Sequence, residues 1–149
     1  MIALLQRVLH AEVEIDGRLT ASIDSGVLAL IGVQREDGTA SAARLLERLL
    51  SYRIFPDAGD RMSRHLGDVG GGLLLVPQFT LAADTRKGTR PSFSTVADPQ
   101  IARALFEYLV SEARARHSPV AAGAFGAHMR VQLVNDGPVT FWLEARPRP

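Results

Sequence analysis

Two hydrophobic periods run through the chain, and the places where one gives way to the other predict its elements. Residues 2–9 are apolar enough for a strand. Glu12-Val13-Glu14-Ile15 alternates, Asp16-Gly17 follows, and residues 18–21 resume the alternation. Asp-Gly between alternating runs is a two-residue hairpin signal, because glycine tolerates positive φ. Asp24-Ser25-Gly26 predicts the next turn, and residues 27–33 a strand covered on both faces. The period then lengthens. Over 39–51, Ala42, Leu45, Leu46, Leu49 and Leu50 share one helical face, while Arg44, Glu47 and Arg48 share the other. Asp37 or Thr39 is the expected cap. Residues 53–55 read as a short strand, and Pro56-Asp57-Ala58-Gly59-Asp60 as turn chemistry.

The rest of the chain is organised around Leu73-Leu74-Leu75-Val76-Pro77-Gln78-Phe79-Thr80-Leu81. This run rises from Gly70-Gly71-Gly72, which reads as a flexible lead-in. It delivers Gln78 and Thr80 near its far end, then breaks into a basic loop carrying Arg86, Lys87 and Arg90 and closed by Pro91. Asp98-Pro99 opens a second helix over 98–116, as a cap followed by proline at the first helical position. Ile101, Leu105, Tyr108 and Leu109 form its expected buried stripe, and His117-Ser118-Pro119 ends it. Residues 129–134 alternate strictly, Asn135-Asp136-Gly137-Pro138 predicts a turn, and 139–145 a last strand. In that strand Val139, Phe141 and Leu143 face one way and Thr140, Trp142 and Glu144 the other. The tail, 146–149, reads as frayed. About seven or eight strands and two main helices (39–51 and 98–116), not regularly alternating, predict an α+β fold with a mostly antiparallel sheet.

A length of 149 residues predicts one domain over 1–149, long enough for a real core. With 46% hydrophobic and 22% charged residues the chain is expected to be globular and soluble. The net charge of +1 confines any nucleic-acid contact to a local patch. The absence of cysteine excludes disulfides, thiolate metal sites and cysteine nucleophiles, and fits a cytoplasmic protein. The apolar N-terminal stretch is short and interrupted by Gln6 and Arg7, so neither a signal peptide nor a membrane span is predicted.

Taken singly, the candidates for chemistry all have plain structural explanations. His10, His65, His117 and His128 show no ligand spacing, so neither a metal site nor a cofactor is expected. No Gly-x-Ser-x-Gly elbow marks a serine hydrolase. Gly70-Gly71-Gly72 lacks the Lys-Ser/Thr of a phosphate-binding loop. Arg86, Lys87 and Arg90 read either as a solvated loop or as phosphate contacts. Thr80 and Gln78 share a face if the strand is still regular there, and Gly137-Pro138 reads as a turn.

Taken together, several segments resemble the D-aminoacyl-tRNA deacylase family. They are Met1-Ile2-Ala3-Leu4-Leu5-Gln6-Arg7-Val8, Arg53-Ile54-Phe55, Gln78-Phe79-Thr80-Leu81, Ala83-Asp84-Thr85-Arg86-Lys87-Gly88, Arg90-Pro91-Ser92-Phe93, Phe125-Gly126-Ala127 and Asn135-Asp136-Gly137-Pro138-Val139-Thr140, in family order across the chain. The resemblance implies a homodimer, with active sites at or near the subunit interface, that hydrolyses the ester of D-aminoacyl-tRNA or glycyl-tRNA without cofactor. It implies a cis Gly137-Pro138 peptide reaching into the partner's site to exclude L side chains, with Arg7 helping to hold it. It implies catalytic roles for Gln78, Phe79 and Thr80, and tRNA contacts for Arg86, Lys87 and Arg90, with no membrane or DNA partner. One departure stands out: the family's Ser-Gln-Phe-Thr motif reads Pro77-Gln78-Phe79-Thr80 here. Proline has neither hydroxyl nor N–H, so any role of the serine is lost, while backbone donors at Phe79 and Thr80 survive. Two rivals remain: an RNA- or tRNA-binding module disabled by Pro77, and a general small-ester hydrolase.

Overall fold

The computed structural model describes residues 1–147. Strand β1 (Ile2–Ile15) is the spine. Along one edge it pairs antiparallel with β3 (Gly26–Gly32) through residues 2–8 and with β2 (Arg18–Ile23) through residues 11–15. Along the other edge it pairs antiparallel with β8 (Arg130–Glu144). Beyond β3 the sheet continues in parallel, to β6 (Gly72–Pro77) and then to β7 (Val120–Ala122). The parallel half has a simple cause. The connection from β3 to β6 contains helix α1 (Thr39–Ser51), and that from β6 to β7 contains helix α3 (Pro99–Arg116); helical crossovers return the chain in the same direction. The α+β class thus stands. Between the crossovers lie the β4 (Phe55–Pro56) and β5 (Met62–Arg64) hairpin and a short helix, α2 (Leu66–Val69).

The apolar runs are explained by burial on both faces. Val27, Ala29 and Ile31 of β3 and Leu73 and Leu75 of β6 point to the helices, against Leu45, Leu46 and Leu49 of α1 and Leu105, Phe106 and Leu109 of α3. Their neighbours Leu28, Leu74 and Val76 point the other way, where the curled sheet covers them with Val8, Val13 and Ile23 and with Val131 and Leu133 of β8. Each fully buried leucine contributes on the order of 1.5–3 kcal/mol.

Several expectations are corrected. Gly70-Gly71-Gly72 is no flexible lead-in: Gly70 is the left-handed cap of α2, and a Cβ on Gly26 would collide with the Gly72 backbone, so β3 and β6 meet through glycine. The short strand expected at 53–55 begins only at Phe55. Asp37 does not cap α1. Its carboxylate accepts from the Met1 amine at 2.6 Å and the Gln34 amide at 2.7 Å, and Gly38 takes the cap position. Asp98 caps α3 as expected, accepting from the Gln100 amide at 2.9 Å, but Ile101 is half-exposed and Phe106 takes its place in the core. Of the tail, Arg146 pairs with Glu144 at 3.2 Å, while Arg148 and Pro149 lie outside the described residues.

The largest correction concerns residues 135–138. They do not separate two strands but form an excursion within β8. Gln6 pairs with Thr140 and Val8 with Asn135, so Arg7 alone stands opposite residues 136–139. The three surplus residues are an odd number, and an odd slip exchanges the faces of a strand. Val131 and Leu133 therefore face one core, and Phe141 and Leu143 the other.

Candidate active site

The ladder between β3 and β6 ends at Ile31 and Pro77, with a last bond from the Gln78 amide to the Ile31 carbonyl at 2.7 Å. Pro77 fits here because β7 stops opposite Leu75, at Ala122, so the edge toward which its N–H would point has no strand partner. Gln78 and Thr80 do not sit on a regular strand. The chain turns at once into a single 3₁₀ turn, Phe79–Ala82, pressed against Gly32, where a Cβ would lie 2.9 Å from that of Leu81. The two side chains still meet: Gln78 Nε2 donates to Thr80 Oγ1 at 2.6 Å.

The turn also releases backbone donors. The first amides of a helical turn have no partner within it. Among the described residues neither the Phe79 nor the Thr80 amide donates a hydrogen bond; the turn's bonds run from Leu81 to Gln78 and from Ala83 to Thr80. Beside Phe79 opens a mainly apolar pocket of about 440 Å³, lined by Pro77, Gln78 and Phe79 together with Phe125, Met129 and Val131. Thr80 itself lines the neighbouring groove with Ile2, Gln34 and Trp142.

The excursion in β8 carries a cis Gly137–Pro138 peptide, with both residues exposed and Gly137 at φ +137°. Arg7 supports it from β1. Its Nε donates to the Asp136 carbonyl at 3.1 Å and lies 3.4 Å from the Asp136 carboxylate, while Nη1 donates to the Ile54 carbonyl at 2.8 Å. The dipeptide does not share a site with Thr80 of its own chain. Thr80 lines a groove that reaches Ile2, and Arg7 is five positions further along β1 from Ile2, roughly 16 Å at strand spacing.

The basic loop is closed at its base by paired backbone bonds between Asp84 and Ser92 at 2.8 and 2.9 Å. Arg86 is not free. It grips the Asp84 carboxylate through Nε at 2.9 Å and Nη2 at 2.7 Å, holding that carboxyl down to about 2; the carboxylate in turn raises the Arg86 pKa. Lys87 and Arg90 are exposed and make no ion pair among the described residues. Among the described residues no group of three or more His, Asp or Glu side chains could hold a metal ion.

Sequence reasoning missed Met129 as a pocket wall and Asn135 as the clamp of the excursion. It met Phe125 only as a piece of the resemblance. Asp84 likewise entered only as a piece of the resemblance, in Ala83-Asp84-Thr85-Arg86-Lys87-Gly88.

Fold and site together define a small α+β protein that presents free backbone donors and a pocket at the end of a central strand. The chain belongs to the D-Tyr-tRNA(Tyr) deacylase family, whose pattern matches residues 4–144. It is 65% identical to a D-aminoacyl-tRNA deacylase of Thioalkalivibrio sulfidiphilus and 60% identical to one of Alkalilimnicola ehrlichii. Over 147 residues these alignments cover 99% of this chain in both cases, and 99% and 98% of the relatives. Among solved structures, one described as c-Myc DNA Unwinding Element Binding Protein superposes with a TM-score of 0.94 at 32% identity, covering 99% of this chain and 100% of that one. Another, "a probable eukaryotic D-amino acid tRNA deacylase", shares the fold at a TM-score of 0.83 and 16% identity, covering 96% of this chain and 98% of that one. No helix among the described residues is long and apolar enough to cross a membrane.

Proposed function

We infer that this chain is a carboxylic ester hydrolase that removes D-amino acids, and glycine, from tRNA in the cytoplasm, acting as a homodimer in the quality control of translation. The observation that carries the chemistry is the pair of unengaged amides at Phe79, which lines the pocket, and Thr80, which lines the neighbouring groove. Water attacking the ester carbonyl drives negative charge onto its oxygen. Preorganised N–H groups stabilise that charge, each worth about 10²–10³ in rate. Thr80, held by Gln78, orients the ester, and the substrate's own 2′-hydroxyl assists the attack. The apolar pocket suits the terminal base of the tRNA, with Phe79 and Phe125 offering aromatic walls.

Selectivity comes from exclusion. Gly137-Pro138 of the partner occupies the space an L side chain would need, and a steric block rejects far more strongly than an added contact selects. Two features favour a wedge supplied in trans. The dipeptide is exposed, and Arg7, which braces it, is roughly 16 Å along β1 from Ile2 of Thr80's groove. Trp142, 51% exposed, lines Thr80's own groove, and an exposed tryptophan marks an interface. Lys87 and Arg90 bind tRNA phosphates, with Arg86 in a lesser role.

The test is to incubate the purified protein with D-tyrosyl-tRNA and L-tyrosyl-tRNA and follow ester loss. Selective loss of the D form is expected. Tight binding without turnover points instead to a tRNA-binding module disabled at Pro77, and activity gained by Pro77→Ser would place the fault there. The place of Pro77 where no ladder bond is needed argues for an intact enzyme. Cleavage of simple esters without tRNA would favour a general esterase. A duplex-DNA competitor tests the reading that the name of one structural relative raises; the net charge of +1 favours RNA-end recognition over a broad duplex footprint.

A further inference from the structure

Phe79 and Phe93 form an aromatic pair open to solvent, with ring centroids 5.6 Å apart and planes tilted by 45°. They are 54% and 48% exposed, and Ile101 beside them is 49% exposed. The three line a shallow cleft with Val96, Pro99 and Arg35. Phe79, Val96 and Pro99 also line the pocket at the end of β6, so cleft and pocket are the two sides of one wall. Arg35 makes no ion pair among the described residues, nor do Lys87 and Arg90 on the loop that leads into Phe93. The one acid in the cleft is Asp98, already engaged as the cap of α3.

Solvent-exposed aromatic rings flanked by unpaired cations are suited to an unpaired nucleic-acid strand: bases stack on the rings while the cations follow the phosphates. An interface between copies of the chain would instead deplete charge around its apolar centre. We propose that the Phe79–Phe93 cleft is a stacking shelf for an unpaired base of the tRNA 3′ end, the base that precedes the nucleoside seated in the pocket. The proposal rests on the deacylase reading above. A strand leaving the pocket crosses the shared wall first, and the ring of Phe93 meets its next base.

The test uses a short single-stranded RNA ending in adenosine, with 2-aminopurine as the penultimate base, because stacking quenches that fluorophore. The wild-type protein should quench it. Phe93→Ala should abolish the quenching and Phe93→Trp should retain it; the side chain is half-exposed, so the fold tolerates both. For D-tyrosyl-tRNA, Phe93→Ala should raise KM about tenfold with kcat unchanged, the usual scale for losing one stacked base. D-tyrosyl-adenosine, which lacks the preceding nucleotide, should be hydrolysed as by the wild type. Equal quenching by Phe93→Ala overturns the shelf, as does an unchanged KM for tRNA. So does conversion of the variant to a monomer with loss on both substrates, because the patch is then a contact between copies. Quenching by a wild-type protein that hydrolyses nothing sinks the deacylase reading and leaves the shelf standing.

Discussion

Asn135 holds Val139 in two directions at once: its Nδ2 donates to the Val139 carbonyl at 2.9 Å, and its Oδ1 accepts from the Val139 amide at 3.1 Å. The same Nδ2 donates to the Arg7 carbonyl at 3.0 Å. One side chain thus supplies the bonds that β8 gives up when it leaves β1, and it ties together the base of the Gly137–Pro138 projection. Asn135→Ala should lower stability by about 2–3 kcal/mol, since three partly buried bonds are lost together. Chemical denaturation reads this directly. The ratio of D- to L-tyrosyl-tRNA hydrolysis should fall toward one in the same variant.

Gly137 has a different reason to be glycine. At φ +137° a side chain is strained, and a Cβ would lie 2.6 Å from Val139 Cγ2 and 3.0 Å from the Val139 amide nitrogen. Gly137→Ala should therefore displace the projection, at a cost of about 1–3 kcal/mol. Chiral selectivity should drop while KM for tRNA stays within about twofold, a shift under 0.5 kcal/mol. A well-folded Gly137→Ala protein with unaltered D/L selectivity would refute the exclusion mechanism.

Thr80→Ala removes the 2.6 Å bond from Gln78 but leaves both backbone amides in place. The expected loss in kcat is about tenfold, the value of one well-placed neutral hydrogen bond. Single-turnover kinetics distinguishes this from the loss of an obligate nucleophile, which runs to roughly 10⁶-fold.

The basic loop should respond unequally to charge removal. Lys87→Ala and Arg90→Ala should each raise KM for tRNA and reduce the slope of log affinity against log salt by about 0.7–0.9. Arg86→Ala should do less, because Asp84 already neutralises that guanidinium. A slope change as large for Arg86 as for Lys87 would mean that the Asp84 clasp opens on binding.

The clasp also has a pH signature. The Asp84 carboxyl is held at about 2 by the Arg86 side chain first and the Arg86 amide second, below its ordinary 3.8. A depressed carboxylate pKa favours the folded loop above the ordinary value, and that preference disappears as pH falls through the lower one. The carboxyl resonance of Asp84 should titrate near pH 2, and the loop should stay closed at every pH above about 4. Asp84→Asn should abolish the low-pH transition.

Much of the fold was legible because it is written between near neighbours. The helical stripe over Leu45, Leu46 and Leu49, the Asp98-Pro99 start of α3 and the hairpin at Asp16-Gly17 depend on side chains a few positions apart. The two-sided burial of β3 followed from its unbroken apolar run. Ile101 was misplaced for the same reason that the rest succeeded: periodicity reports a face, and the first turn of α3 overhangs the edge of the core.

By itself the sequence determined the residue types at each candidate position, the class of fold and, through its motifs, the family resemblance. It marked Gln78, Phe79, Thr80, Gly137 and Pro138 as candidates but could not say how they are held. Only tertiary structure decided that the strand breaks at Pro77 to leave two amides unpaired, and that Arg86 is spent on Asp84. Only tertiary structure turned Asn135-Asp136-Gly137-Pro138 from a turn between strands into a braced projection. The physical reason is distance along the chain. Asn135 and Arg7 are 128 residues apart and meet only because β8 is laid against β1, a pairing that no local pattern encodes.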